Sequence, residues 1–316
     1  MLAVVLGAGK IGRGFLGELL YQGGWEIAFV EPRKEVVEAL NRRGEYEIEF
    51  VDGERKTIKG VRASGSPQGL IETAGLLFTS VGVRNLAEAG RLIAPGIQAR
   101  NGRPLNILIC ENDLHADRIL REAVGLSDAS VGYCRCVVSR MVFEELPGDP
   151  PVPRAERYPY LPVDADAIVG ELPSVPGLTL ASPFEGFARR KLYLHNGVHA
   201  ILAYLGAERG LIYIHQAMAD PVIGSLARQA SQSLQDALLA AYSFDSIEMR
   251  SHAEDLLSRF ADPLLRDPIE RAAADPLRKL GEKDRLLGAR RFLSEHDQDP
   301  TPFDLAIQAA KQYAER

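Results

Sequence analysis

Leu2-Ala-Val-Val-Leu-Gly7-Ala-Gly9-Lys10-Ile11-Gly12-Arg-Gly-Phe15 decides how the N-terminal half of the chain folds. Leu2 to Leu6 is a short continuous apolar run stopped by glycine, the pattern of a strand buried on both faces of a parallel sheet. The next six residues fit G-x-G-x-x-G, and Phe15, Leu16, Leu19 and Leu20 then recur at helical spacing. Glycines in this context let backbone N–H groups approach a pyrophosphate closely, with the following helix N-terminus favouring its negative charge. Gly7, Gly9, Lys10, Ile11 and Gly12 are therefore candidate dinucleotide-binding residues. A second strand, Glu26 to Val30, ends at Glu31, 19 residues after Gly12. A carboxylate there can accept both hydroxyl protons of the adenosine ribose and would repel a 2′-phosphate, which favours NAD over NADP. Arg33 and Lys34 partly offset that repulsion. A ligand-free strand-turn-helix, or one that binds FAD, is the alternative.

Working outward, Tyr46 to Val51 alternates by side and meets Asp52-Gly53, a two-residue hairpin signal, before Lys56 to Lys59. Further strands are expected at Leu76–Thr79, Leu105–Cys110 and Val131–Val138, separated by helical segments near 85–93 and 113–124. Between Pro147 and Pro183 lie nine of the chain's 19 prolines, which prevents long helices and predicts an irregular or edge-strand connection. Beyond Phe184 the spacing turns helical, as in Val222, Ile223, Leu226, Ala230, Leu234, Ala237, Leu238 and Ala241. The expected fold is α/β. A Rossmann-type doubly wound sheet domain with added antiparallel strands covers 1–183, and a mostly α-helical domain covers 184–316.

Composition narrows the partners. Hydrophobic residues make up 46% and charged residues 25% of the 316 residues, and the formal net charge is -6. These are globular values. Without a basic run there is no electrostatic footprint for nucleic acid. No apolar stretch approaches the ~20 residues needed to cross a bilayer, and no signal peptide is expected at Met1. Cys110, Cys134 and Cys136 are an odd number in a long chain, which argues for a reducing compartment. Cys134 and Cys136 should share one buried strand face. The expected setting is the cytoplasm, as a monomer or small homo-oligomer.

The chemistry is concentrated in Arg190-Lys191-Leu-Tyr-Leu-His195-Asn196-Gly-Val-His199-Ala-Ile-Leu-Ala-Tyr204-Leu-Gly206. On an ideal α-helix, at ~100° per residue, Lys191, Asn196 and His199 lie at about 0°, 140° and 80°, so they can converge on one cleft. A desolvated lysine can take a hydroxyl proton during hydride transfer, while Asn and His polarise the carbonyl or steady the alkoxide. No metal is then required. Two other readings are a metal pair, since His195 and His199 are four residues apart, and a plain surface helix.

This stretch fits K-x-x-x-x-N-x-x-H, and it resembles the signature of the polyol-specific long-chain dehydrogenases. The glycine loop Gly7-Ala-Gly-Lys-Ile-Gly-Arg-Gly-Phe15 is similar to the same family's. So are Arg259-Phe-Ala-Asp-Pro263, Asp267, Arg271, Asp275-Pro-Leu-Arg-Lys-Leu280 and Asp284-Arg-Leu286. The resemblance runs from residue 1 to about 290 and implies that Lys191 is the general base, with Asn196 and His199 holding the reacting oxygen. It also implies that Arg271 and Lys279 line a polyol or phosphate pocket, that Asn112 of Cys110-Glu111-Asn112 faces cofactor and sugar, and that Thr79 and Val81 lie on the loop passing the cofactor ribose. For Arg271 and Lys279, salt bridges to Asp267 and Asp275 are the alternative. The implied activity is NAD-dependent interconversion of a sugar alcohol, or its phosphate, with a ketose. Mannitol 1-phosphate and fructose 6-phosphate lead, ahead of unphosphorylated mannitol, a hexuronate, or a non-catalytic dinucleotide-binding role. This chain departs from the family at Lys10, where Asn is usual, and at Ser139-Arg-Met-Val-Phe143, where Asp-Arg-Ile-Val-Pro is usual. Most relatives also continue for several helices further.

Overall fold

The structure, a computed structural model, describes residues 1–315. Its chain divides into two compact units, Met1–Phe184 and Glu185 onward.

The first unit begins with β1 (Leu2–Leu6), a π-helical turn (Gly12–Leu16) that continues as α1 (Gly17–Gln22), β2 (Glu26–Val30) and α2 (Lys34–Arg43). Then come β3 (Glu45–Phe50), β4 (Arg55–Lys59), β5 (Val61–Ser64), β6 (Leu76–Thr79), α3 (Val83–Gln98), β7 (Leu105–Ile109), α4 (Ala116–Val124) and β8 (Val131–Arg135). Six strands form a parallel sheet in the order β5-β2-β1-β6-β7-β8. The order reverses between β1 and β6, which opens a ligand-binding crevice at their carboxyl ends.

Burial alternates residue by residue. Ala3 and Val5 of β1, with Ile27 and Phe29 of β2, join one apolar layer, while Val4, Leu6, Ala28 and Val30 join the other. Side chains in a strand point to opposite faces in turn, so a run that is apolar at every position is stable only when both faces are covered. That is why Leu2–Leu6 carries no polar residue.

The Asp52-Gly53 turn closes β3 and β4 into an antiparallel hairpin. The proline-rich connection holds β9 (Val142–Leu146), β10 (Val152–Ala155), β11 (Leu161–Asp164) and β12 (Leu178–Ala181). Of these, β10 and β9 extend the hairpin into a four-stranded sheet, while β11 and β12 pair in parallel. Cys110, Cys134 and Cys136 are free and buried in the layer that holds Val5 and Phe29.

The second unit is helical: α5 (Phe184–Arg189), a π-helical turn (Arg190–His195), α6 (Asn196–Glu208), α7 (Ile214–Ala219), α8 (Pro221–Ala241) and α9 (Ser246–Ala261). It closes with α10 (Ile269–Ala273), α11 (Pro276–Lys279), α12 (Leu287–Glu295) and α13 (Thr301–Ala314). Ten of the 13 residues of α6 are buried, so it is a core helix wrapped by its neighbours, chiefly α7, α8, α10 and α13. Asp220 and Asp245 cap α8 and α9 by accepting hydrogen bonds from first-turn N–H groups. No helix among the described residues is long and apolar enough to cross a membrane.

Candidate active site

In the first unit the glycines of the loop have separable tasks. Gly7 adopts φ +94°, and a Cβ there would stand 2.5 Å from the Ser80 carbonyl oxygen. A Cβ on Gly12 would stand 2.0 Å from the Gly7 carbonyl oxygen, so both positions are closed to any side chain. Gly9 differs, because nothing lies within 4 Å of where its Cβ would be. Its missing side chain leaves room on the open side of the turn. A cavity of about 410 Å³ adjoins it, lined in part by Gly7, Gly9, Glu31, Arg33, Val81 and Asn85.

Glu31 is buried at the end of β2, where its Oε2 accepts the Ala8 N–H at 2.9 Å and its Oε1 accepts Arg33 Nε at 2.8 Å. Burial pushes its carboxyl up, but the Arg33 guanidinium and the N–H groups of Arg33 and Ala8 outweigh this and hold it below the usual range. Arg33 is thus committed to Glu31 in this structure. The loop is braced from beneath by Arg13, which is fully buried, donates to the Ala8 carbonyl at 2.6 Å and pairs with Glu145. Lys10 is exposed and donates its amine to the Phe143 carbonyl at 3.0 Å, which ties the loop to that segment.

Two positions named from the sequence differ sharply in exposure. Thr79 is 0% exposed, and its hydroxyl has no hydrogen-bond partner among the described residues. Asn112 is exposed, and its neighbour Glu111 holds the loop after β6, accepting the N–H groups of Val81 at 2.8 Å and Gly82 at 2.9 Å. Burial raises the Glu111 carboxyl, against the hydrogen bonds from the Val81 and Gly82 N–H groups. Ile11 is half-buried in the loop, and Val81 lines the cavity.

In the second unit the α-helical wheel gives the wrong angles. Arg190–His195 is a π-helix, and the Asn196 N–H donates to the Lys191 carbonyl five residues back. On an α-helix those residues would be ~140° apart, whereas an i→i+5 turn brings them to neighbouring positions on one face. His199 follows three residues along α6, the spacing of side-chain neighbours. Lys191, Asn196 and His199 therefore share one stripe.

The stripe is chemically uneven. Burial, helped by Arg285 and Arg278 and opposed by Asp284, pulls the Lys191 amine down to about 7. Asn196 and His195 are buried, and Asn196 Nδ2 and His195 Nδ1 have no hydrogen-bond partner among the described residues. His195 is held well below its ordinary value by burial and by Arg259, Lys191, His199 and His252. His199 Nε2 lies 2.8 Å from Asp267 Oδ2, and its ring stacks on Phe260 at 5.1 Å and 17°. Asp267 in turn accepts Arg271 Nε at 3.0 Å. Lys279 is buried and donates to the Ala272 carbonyl at 2.6 Å. The salt-bridge alternative for Arg271 is thus present.

Residues 1–174 match the mannitol dehydrogenase Rossmann domain, and residues 184–316 match the mannitol dehydrogenase C-terminal domain. This chain belongs to the mannitol dehydrogenase family. Among relatives in that family, a mannitol-1-phosphate 5-dehydrogenase of Brevibacillus brevis is 36% identical, over 98% of this chain and 85% of the relative. Another, from Caldanaerobacter subterraneus, is 34% identical over 93% and 81%. In fold, the chain is similar to Pseudomonas fluorescens mannitol 2-dehydrogenase in ternary complex with NAD and D-mannitol. The TM-score is 0.74 at 15% identity, over 98% of this chain and 78% of that one. A D-sorbitol dehydrogenase in substrate-free form gives 0.77 at 13%, over 98% and 79%.

Asp267, Glu111, Phe260 and Arg285 were given no site role from the sequence of this family member. The i, i+4 spacing of Asp267 and Arg271 was visible, but nothing local ties Asp267 to a histidine 68 positions earlier. Glu111 carried one signal, its position just beyond the carboxyl end of an apolar strand.

Proposed function

We propose that this protein is an NAD-dependent oxidoreductase that interconverts a polyol phosphate and a ketose phosphate, with mannitol 1-phosphate and fructose 6-phosphate as the pair. Residues 1–183 hold the dinucleotide and residues 184–316 supply the catalytic groups. The carrying observation is the stripe of Lys191, Asn196 and His199, with a lysine that loses its proton near neutrality.

The loop fits a dinucleotide: Gly9 leaves its side open, and the ionised Glu31 carboxylate suits two ribose hydroxyls while repelling a 2′-phosphate. Bound at this loop, NAD would supply the hydride acceptor for the alcohol carbon. The Lys191 amine removes the hydroxyl proton, and Asn196 Nδ2, unpartnered among the described residues, donates to the developing alkoxide. His199, held by Asp267 and Phe260, contributes its second ring nitrogen to the same oxygen. In reduction the protonated lysine returns the proton. Such a site takes a small sugar-derived molecule rather than nucleic acid. We place the enzyme in the cytoplasm, as a monomer or small homo-oligomer.

The test is NADH oxidation with fructose 6-phosphate by the purified chain. Lys191→Ala should lower turnover by ~10²–10⁴-fold with NADH binding retained. Undiminished turnover in that variant would end this assignment of the base.

A further inference from the structure

The second unit carries a concentration of positive charge that acts on the Lys191 amine through its field while several of its N–H groups stay unbonded. Arg285 is buried, and its guanidinium donates from Nε to Asp284 Oδ1 at 2.8 Å. Arg278 reaches the other oxygen of the same carboxylate at 3.4 Å. The Nη atoms of Arg285 make no hydrogen bond to any described residue, and that long contact is the sole one from Arg278. One carboxylate is thus shared by two arginines, with the positively charged side chain of Lys279 close enough to feel both.

Packing fixes this segment against the catalytic stripe. A Cβ on Gly197, next to Asn196, would stand 3.1 Å from the Arg285 carbonyl oxygen. One on Gly288 would stand 2.9 Å from the Lys283 carbonyl and 3.0 Å from the Tyr193 hydroxyl. The two glycines clamp residues 283–288 onto the turn that carries Lys191 and the first turn of α6.

We propose that Arg278 and Arg285 bind the phosphate monoester of the substrate beside Lys191. The proposal rests on the polyol-phosphate reading and says which residues select for it. A phosphate dianion has about two charges and three acceptor oxygens. Two guanidinium forks with spare N–H groups match it in charge and geometry better than they match a neutral hydroxyl. Arg271 and Lys279, the residues the resemblance implied for this task, are already committed to Asp267 and to the Ala272 carbonyl.

The experiment compares the full-length chain with Arg278→Gln and Arg285→Gln, each assayed with NADH and fructose 6-phosphate, fructose or fructuronate, with inorganic phosphate as competing probe. In each variant the KM for fructose 6-phosphate should rise about tenfold or more, inhibition by inorganic phosphate should weaken in parallel, and the KM for NADH should stay near that of the parent. Arg278 is half-exposed, with a side chain 52% accessible, so its variant carries the test if the buried Arg285→Gln fails to fold. A parent that prefers fructose 6-phosphate, with Arg278→Gln showing the same KM and the same phosphate inhibition, overturns the proposal alone. A parent that prefers fructose or fructuronate overturns both the proposal and the polyol-phosphate reading.

Discussion

His199 Nε2 and Asp267 Oδ2 are 2.8 Å apart, across 68 residues of sequence. Burial opposes ionisation of Asp267, but His199 and Arg271 outweigh it and hold the carboxyl below its usual range. An ionised carboxylate only accepts, so the proton on Nε2 belongs to His199 and Nδ1 is the nitrogen left for a substrate. Because the hydroxyl's one proton goes to Lys191, Nδ1 can act on the reacting oxygen only as a donor, with the ring protonated on both nitrogens. Stacking on Phe260 fixes the plane in which this happens.

Asp267→Asn removes the charge that faces this ring. Turnover should fall by ~10²-fold, with the KM for NADH nearly unchanged, in steady-state kinetics that vary each substrate separately. Full activity would mean that the pair is structural only.

The pH dependence follows from Lys191. Its amine, at about 7, must be neutral to accept a proton and charged to donate one. Polyol oxidation should rise with pH through about 7, and ketose reduction should fall over the same range. Opposite limbs in the two directions, measured as kcat profiles, check the assignment.

The same amine lowers stability. Unfolding restores its ordinary value of 10.5, so the folded chain binds fewer protons between about 7 and 10.5, and stability rises with pH over that window. Below it the buried charge is fully costly. Lys191→Met should therefore stabilise the chain by ~0.5–2 kcal/mol at neutral or mildly acidic pH and abolish activity, as denaturant melts will show. An unchanged midpoint would mean that the ammonium is well solvated.

Gly9 separates folding from binding. Gly9→Ala meets no atom within 4 Å, so its thermal melt should match the parent, while NADH affinity falls because the methyl group occupies the open side of the turn. Gly12→Ala would bring its Cβ to 2.0 Å from the Gly7 carbonyl oxygen, and it should lose stability as well. Fluorescence titration with NADH and melting curves distinguish the two variants.

The N-terminal fold was legible because its signals are local. Leu2–Leu6 could only be a doubly buried strand, the glycines could only be a tight turn, and Asp52-Gly53 closed a hairpin where expected. The strands of the proline-rich connection were less legible. In β9 to β12 each strand has only four or five residues, and their pairing partners, such as β3 for β10, lie about a hundred positions away.

The residue types of the proposed active site, Lys191, Asn196 and His199, were also legible in the sequence alone. Their alignment was not: side-chain spacing does not disclose that Arg190–His195 takes a π turn, and that turn moves Lys191 and Asn196 from opposite flanks onto one stripe. Nor does it disclose which acid orients His199, which loop Glu111 holds, or which arginines surround the lysine. Periodicity and turn chemistry are encoded within a few residues, whereas a proton's position, an amine's charge and an arginine's free N–H groups depend on neighbours supplied by distant segments. Those properties came into being only when α6, the Asp267 loop and residues 278–288 packed together.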